Sequence, residues 1–288
     1  MADASAAEEL IAHELGIALE TVKSWLQSFA QNPRTTEFLL LLGAGVMLGA
    51  YSVKEVCDRL GLVPHQAYAA LRFQSVYRWR KVLGELGYEM ALPLLQDLQA
   101  KSAATQSRAC GVLAVDDSVL ERLSREMGLV WAWYSGRRKR VVRGQDLVGL
   151  VLVIGEVVIP LDVRIVSKQG RGTPTKPEIY AQMLAHAQAR FQQAGIDLQK
   201  LATSGDSAFL SELVQAKCQE LKVAGVFGGK DNYVFTIDGE THKAPHWRTR
   251  FSERLETDRW GCEVPVYRTT AVSPTFGQIG RASCRERV

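Results

Sequence analysis

Gly111-Val-Leu-Ala-Val-Asp-Asp-Ser118 decides how the chain beyond its first third is read. Five small or apolar residues, too few for a helix, run into two acids. Such a run reads as a short buried strand that delivers carboxylates at its end. Upstream, the period is helical: Leu10, Ile11, Leu15, Ile17, Leu19, Val22, Trp25, Leu26 and Phe29 recur at the spacing of an amphipathic helix. Downstream, Leu147 to Ile154 is apolar and β-branched, as expected of a strand buried on both faces, and Gly155-Glu156 is a tight turn. Leu161, Val163 and Ile165 then alternate with Asp162 and Arg164, the pattern of a half-buried antiparallel partner. After a Gly/Pro-rich link from Gly170 to Pro177, the residues Ile179, Met183, Leu184, Ala187 and Phe191 predict a helix. Leu201-Ala-Thr-Ser reads as a strand ending in Gly205-Asp206, followed by a helix through Leu210, Leu213, Val214 and Leu221 and a strand over Val223 to Phe227. The order strand, strand hairpin, helix, strand, helix, strand predicts an α/β fold. It is a mixed sheet with flanking helices, preceded by an all-α N-terminal domain over residues 1–104.

Composition sets the class. Among 288 residues, 47% are hydrophobic and 23% charged, which suits a soluble globular protein. Glu8, Glu9 and Glu14 precede any Lys or Arg, the wrong order for a secretory signal. Phe38 to Ala50 is apolar but broken by Gly43, Gly45 and Gly49, and it falls short of the roughly 20 residues a membrane span needs. The five cysteines form no Cys-x-x-Cys, so there is no zinc signature and a reducing, cytoplasmic setting is expected. A formal charge of +4 is too mild to imply nucleic acid by itself, and the distribution of the charge says more.

Basic residues concentrate in Arg137-Arg-Lys-Arg140 with Arg143, near the first acids, where they either hold phosphates or form a solvated loop. Ser52-Val-Lys-Glu55 matches a capping box, Gly61 ends that helix and Pro64 opens the next. The resulting helix-turn-helix would aim His65, Gln66, Tyr68, Ala69 and Arg72 at a major groove. Val76 to Lys81 and Thr241 to Arg250 mix aromatic rings with cations, as strand-binding surfaces do, although Tyr77 and Trp79 serve equally as core contacts. The histidines are scattered and give neither a triad nor a metal set, and no glycine-rich phosphate cradle is present.

Asp117 and Asp206 are the acids that chemistry singles out. Metal-dependent phosphodiester cleavage needs carboxylates converging from distant parts of a chain, and strand ends are where open sheets place ligands. Asp116 rivals Asp117, since alternation sends the two side chains to opposite faces. Asp206 also suits the N-cap of the helix that follows.

Val115-Asp-Asp-Ser118, Trp133-Tyr-Ser-Gly-Arg137 and Val142-Arg-Gly-Gln-Asp-Leu-Val148 resemble the first acidic block of insertion-sequence DDE transposases, and Ala202-Thr-Ser-Gly-Asp-Ser-Ala-Phe209 is similar to the second. The resemblance covers about Val112 to Phe227. It implies a ribonuclease H-like catalytic core over residues 105–278, with a β-rich insertion starting near 228 and a helical DNA-binding region in front. It makes Asp117, preferred because Ser118 follows it, and Asp206 catalytic and metal-binding. The implied ions are two Mg²⁺ or Mn²⁺. The implied partners are double-stranded DNA, both transposon ends and target, and a second copy of the chain in the active complex, in a nucleoid-associated cytoplasmic protein with no membrane.

The family's third acid is a Glu in a motif with Tyr, Arg and Lys. No such motif precedes Gln278, and none of Glu240, Glu253, Glu256 and Glu263 is assigned to it. Ile279 to Val288 resembles a reading frame of a sequencing adapter, so the native sequence is expected to break off here with the Glu beyond it, leaving an inefficient fragment. Excluding this tail removes Arg281, Arg285 and Arg287 against one Glu286, which weakens the charge argument further. Two other readings are a non-catalytic DNA-binding transposase remnant and a metal nuclease that hydrolyses without joining.

Overall fold

The computed structural model describes residues 53–65, 76–105, 111–122, 128–168, 173–250, 254–257, 263–274 and 277–284, with 9, 10, 12, 13, 20, 21, 24, 27, 41 and 44. The chain forms two compact units, one of Met1–Gln106 with Val157–Val163 and the other of Ser107–Glu156 with Arg164–Val288.

In the first unit, helix α1 (Val53–Leu60) buries Val56 and Cys57 and carries an exposed Arg59–Glu55 pair one turn apart. It ends where Gly61 turns left-handed at φ 64° and the Leu62 N–H donates to the Cys57 carbonyl, a closure that satisfies an orphan helix acceptor. Helix α2 (Val76–Thr105) buries Tyr88, Ala91 and Leu95. Its Gly84 and Gly87 lie on the backbone of Pro160 and Leu161, so close that a Cβ at 87 would sit 1.8 Å from the Pro160 carbonyl oxygen. Every described element before residue 106 is helical. The unit nevertheless takes in Val157–Val163, so its contacts do not delimit an all-α domain ending at 104. The glycines give the reason, since a helix stripped of side chains on one face can seat against an extended backbone. Ser52, Gln66, Tyr68, Ala69 and Arg72 lie outside the described residues, as do the side chains of 76–83; His65 is described and exposed.

The elements that follow are β1 (Gly111–Glu121), β2 (Trp131–Ser135), β3 (Arg140–Ile154) and β4 (Val157–Val166, whose first seven residues belong to the first unit), then α3 (Lys176–Gln193), β5 (Leu201–Gly205), α4 (Glu212–Glu220) and β6 (Ala224–Phe227). The strand order is β2-β3-β1-β5-β6, with β4 paired to β3. The β1–β3 and β2–β3 ladders are antiparallel, while β1–β5 and β5–β6 are parallel. This is the mixed α/β sheet that the sequence order predicts.

Three details differ from expectation. β1 does not stop at its acids: β3 reaches back to Arg140 and pairs with it as far as Glu121, so the ladder outlasts the apolar run. β2 is a strand the sequence did not signal, and Arg140 and Arg143 belong to β3 rather than to a loop. In β4, Asp162 is buried beside Leu161, which breaks the expected alternation.

Helix α3 begins with a complete capping box: the Thr175 hydroxyl accepts from the Glu178 N–H, and the Glu178 carboxylate accepts from the Thr175 N–H at 2.6 Å. Its apolar stripe, Ile179, Tyr180, Met183, Leu184, Ala187 and Phe191, is buried as the periodicity predicts, and the helix lies against β3 and α4. Each such large side chain contributes about 1.5–3 kcal/mol. A polar link crosses this core. Thr203 Oγ1 donates to the Leu113 carbonyl at 2.8 Å, which leaves the buried Tyr180 hydroxyl to donate to Thr203. Burial holds the Tyr180 phenol protonated far above its ordinary range.

A second sheet follows, from β7 (Val234–Ile237), β8 (Glu240–Lys243), helix α5 (Ala244–Arg250), β9 (Arg254–Thr257), β10 (Glu263–Ser273) and β11 (Gly277–Cys284), in the order β11-β10-β7-β8 with β9 on β10. Asp238-Gly239 closes the β7–β8 hairpin with φ of 51° and 82°, as a two-residue turn matched to strand twist requires. Trp247 packs with Ile237, Ala271 and Phe235, and its indole N–H donates to the Phe235 carbonyl, so within Thr241–Arg250 this ring is core rather than a base-stacking surface. Residues 279–284, expected to form no element, pair with β10. Backbone pairing needs no side-chain pattern, and the sequence there has no proline to prevent it.

Candidate functional site

The site is set by where β5 ends. The parallel register pairs Ala114 with Ser204 and Val115 with Gly205, and β5 stops there while β1 continues. Beyond that last rung β1 runs on into Asp116, and Asp206 directly follows the end of β5. Leu113 and Val115 are buried, and a Cβ on Gly205 would meet Val115 and Phe209, so these positions share the core face. Alternation along β1 carries Asp116 to the opposite face. Asp116 and Asp206 are both exposed. Across β3, Asp116 pairs with Gly149, beside which a Cβ would meet nothing within 4 Å. Asp116 therefore borders open space.

Asp206 is not the N-cap of α4. Ser211 is, and its hydroxyl accepts from the Val214 N–H. The Asp206 carboxylate instead accepts from the Ala208 N–H at 2.8 Å, and its carbonyl from Phe209, which shapes a turn five residues earlier. The Gly228 N–H donates to the Gly205 carbonyl, and the Tyr233 hydroxyl donates to the Ser207 carbonyl at 3.3 Å, bracing this turn from the other side. Burial first, and then the Asp206 charge, push the Tyr233 phenol up.

Asp117 faces the core side. Its Oδ2 accepts from Lys176 Nζ at 2.7 Å, and the same ammonium lies 2.8 Å from Asp146 Oδ2. Asp146, on β3, is wholly buried, and neither of its oxygens has an aligned hydrogen-bond donor despite that short approach. Burial pushes its carboxyl up and outweighs the pull of Lys176. Burial would lower the Lys176 ammonium, but its two acids more than offset it and the group is held above its ordinary value. Lys176 also lies 5.8 Å from the Trp133 ring, over which Lys168 sits at 3.9 Å.

Asp117 is engaged by a lysine on the core side, and Asp116 lies on the other face of β1. Asp146 and Lys176 were missed. The available signal was an acid immediately before an apolar run and a lysine at the first position of a capped helix.

The basic run divides as well. Arg137, Arg138 and Lys139 form the β2–β3 turn, with Lys139 at φ 51°; Arg138 and Arg140 reach Glu121 at 3.6 and 3.9 Å; Arg143 is exposed on β3. Glu240 pairs with Arg250 and His242, and His186 lies exposed on α3. Among the described residues no group of three or more His, Cys, Asp or Glu is placed to hold a metal ion, and no helix is long and apolar enough to cross a membrane.

No protein-family model and no curated protein matches the chain. Among solved structures it is similar to complexes of the Mos1 mariner transposase. The paired-end complex with Mn is 14% identical, with 77% of this chain and 72% of that one covered and a TM-score of 0.24. The paired-end complex with the left transposon end is 14% identical, with 72% and 67% covered and a TM-score of 0.25. The strand transfer complex is 13% identical, with 77% and 71% covered and a TM-score of 0.24. Superpositions this loose carry no residue-level correspondence.

Proposed function

We propose that the chain is a DNA transposase of the DDE type, with a ribonuclease H-like core that cuts and joins phosphodiester bonds using divalent metal. The observation that carries this reading is the parallel β1–β5 ladder, whose last rung, Val115 with Gly205, is followed in each strand's sequence by an acid, Asp116 and Asp206. The strand–hairpin–helix–strand–helix–strand order supports it, as do the two acidic blocks.

We assign the metal-facing pair to Asp116 and Asp206. The donor set fits Mg²⁺ or Mn²⁺, hard ions commonly held by one or two carboxylates with water and phosphate oxygens. Bound there, such ions would supply an activated attacking oxygen and stabilise the leaving one. The residues themselves fix the pair: the Asp206 turn is held by Ala208, Gly228 and Tyr233, and Lys176 retains Asp117 on the other side. DNA is the partner, with a second copy of the chain in the active complex.

Mn²⁺ titration followed by electron paramagnetic resonance tests the pair. Asp116→Asn and Asp206→Asn should each weaken binding at least tenfold, and Asp117→Asn should leave it unchanged. Full binding by Asp206→Asn overturns the site; loss in Asp117→Asn with retention in Asp116→Asn returns the first role to Asp117. In strand-cleavage and DNA-binding assays, Asp206→Ala should abolish cleavage and keep binding.

A further inference from the structure

On the sheet face that carries Asp116, β2 and β3 leave an aromatic–aliphatic pair in water. Tyr134 is 64% exposed and Val141 63% exposed, and the two are direct partners in the antiparallel register. Arg143 is exposed two residues along β3 from Val141, hence on the same face. Arg137 and Lys139 stand at the adjoining turn, both exposed. Arg138 and Arg140 are drawn instead to Glu121. A bare ring bordered by cations is the composition that takes a nucleic-acid strand, because a base stacks on the ring and the cations meet its phosphates.

We propose that Tyr134 and Val141 form a seat for an unpaired nucleotide of bound DNA, with Arg143 on the neighbouring phosphate. Charge complementarity and ring exposure select this occupant over a second protein surface. The seat and the acids lie on one strand ladder. Val141 to Gly149 is eight residues of β3, or about 27 Å at roughly 3.4 Å per residue, and Gly149 is the partner of Asp116. DNA advances about 3.4 Å per step on one strand, so the seated nucleotide lies about eight steps from the acid pair. The choice of DNA rests on the function proposed above, but the seat does not depend on metal binding.

Fluorescence anisotropy with the full chain tests it, using a labelled DNA hairpin that is either blunt or carries a single-stranded extension. The wild type should favour the extended DNA. Tyr134→Ala should weaken that complex about tenfold and abolish the preference, while Tyr134→Phe retains it, as stacking on the ring requires. Arg143→Ala should weaken both complexes and lower the salt dependence by about one counterion. Wild-type affinity of Tyr134→Ala for the extended DNA overturns the proposal, as does an equal loss on both DNAs. It is equally overturned if Tyr134→Ala dissolves a dimer and leaves DNA affinity untouched. Tyr134→Ala should bind Mn²⁺ as the wild type does, so failure of the metal pair and failure of the seat are separate results.

Discussion

Lys176 shows how one side chain settles an ambiguity between adjacent acids. It holds Asp117 and the wholly buried Asp146 together, and its removal would leave carboxylates in the interior without a cation. Lys176→Met should cost about 3 kcal/mol in urea unfolding at neutral pH. Adding Asp146→Asn should restore part of that loss, a coupling a double-mutant cycle measures. The pH dependence follows from direction. Burial raises the folded pKa of Asp146 above its unfolded value, so the native state keeps a proton that the unfolded chain has released. Its contribution is full below the ordinary carboxylate range and is lost as pH rises through the raised value. Asp146→Asn should flatten this mildly acidic limb; an unchanged slope would show that Asp146 ionises freely in the fold. Lys176 is also held high, so its contribution persists through neutral pH and is lost only above the ordinary lysine range. None of this was legible in the sequence, because the three residues meet from β1, β3 and the start of α3. Spacing along the chain does not encode such a meeting.

Among the elements, α3 was the most readable. Its buried residues repeat at helical spacing, and Thr175 and Glu178 mark its start. Thr175→Ala should lower stability by about 1 kcal/mol, since the hydroxyl satisfies a first-turn amide. β2 was not readable: Trp131-Ala-Trp-Tyr-Ser is short and runs into basic residues, and only the long β3 gives it a partner. The overrun of β1 has the same origin, since pairing with β3 carries the strand past the point where apolar character ends. The α2 contact was equally hidden, because glycines in a helix read as weakness. Gly87→Ala should destabilise its unit by more than the roughly 1–3 kcal/mol of ordinary overpacking, because the new methyl meets backbone rather than a side chain that can turn away. A neutral result in thermal unfolding would mean that the helix does not seat there.

For the whole molecule, the strand order was legible, while no sequence signal marks the assignment of Val157–Val163 to the unit that holds Met1–Gln106. The position of the acids on the sheet predicts a protection pattern. Residues 112–115 are paired on both sides, by β3 and β5, whereas among the described residues 116–121 are paired by β3 alone. Hydrogen exchange should therefore be slower at 112–115 than at 116–121, and equal protection would mean that something covers Asp116. The bare position beside Asp116 has a further consequence. A bulky residue at 149 would find room at no cost to folding, yet it would stand on the ground a substrate must occupy. Gly149→Val should thus pass any selection for a stable, well-expressed protein and fail one for activity. Variation there reports on what the surface touches, with the scaffold indifferent to the outcome.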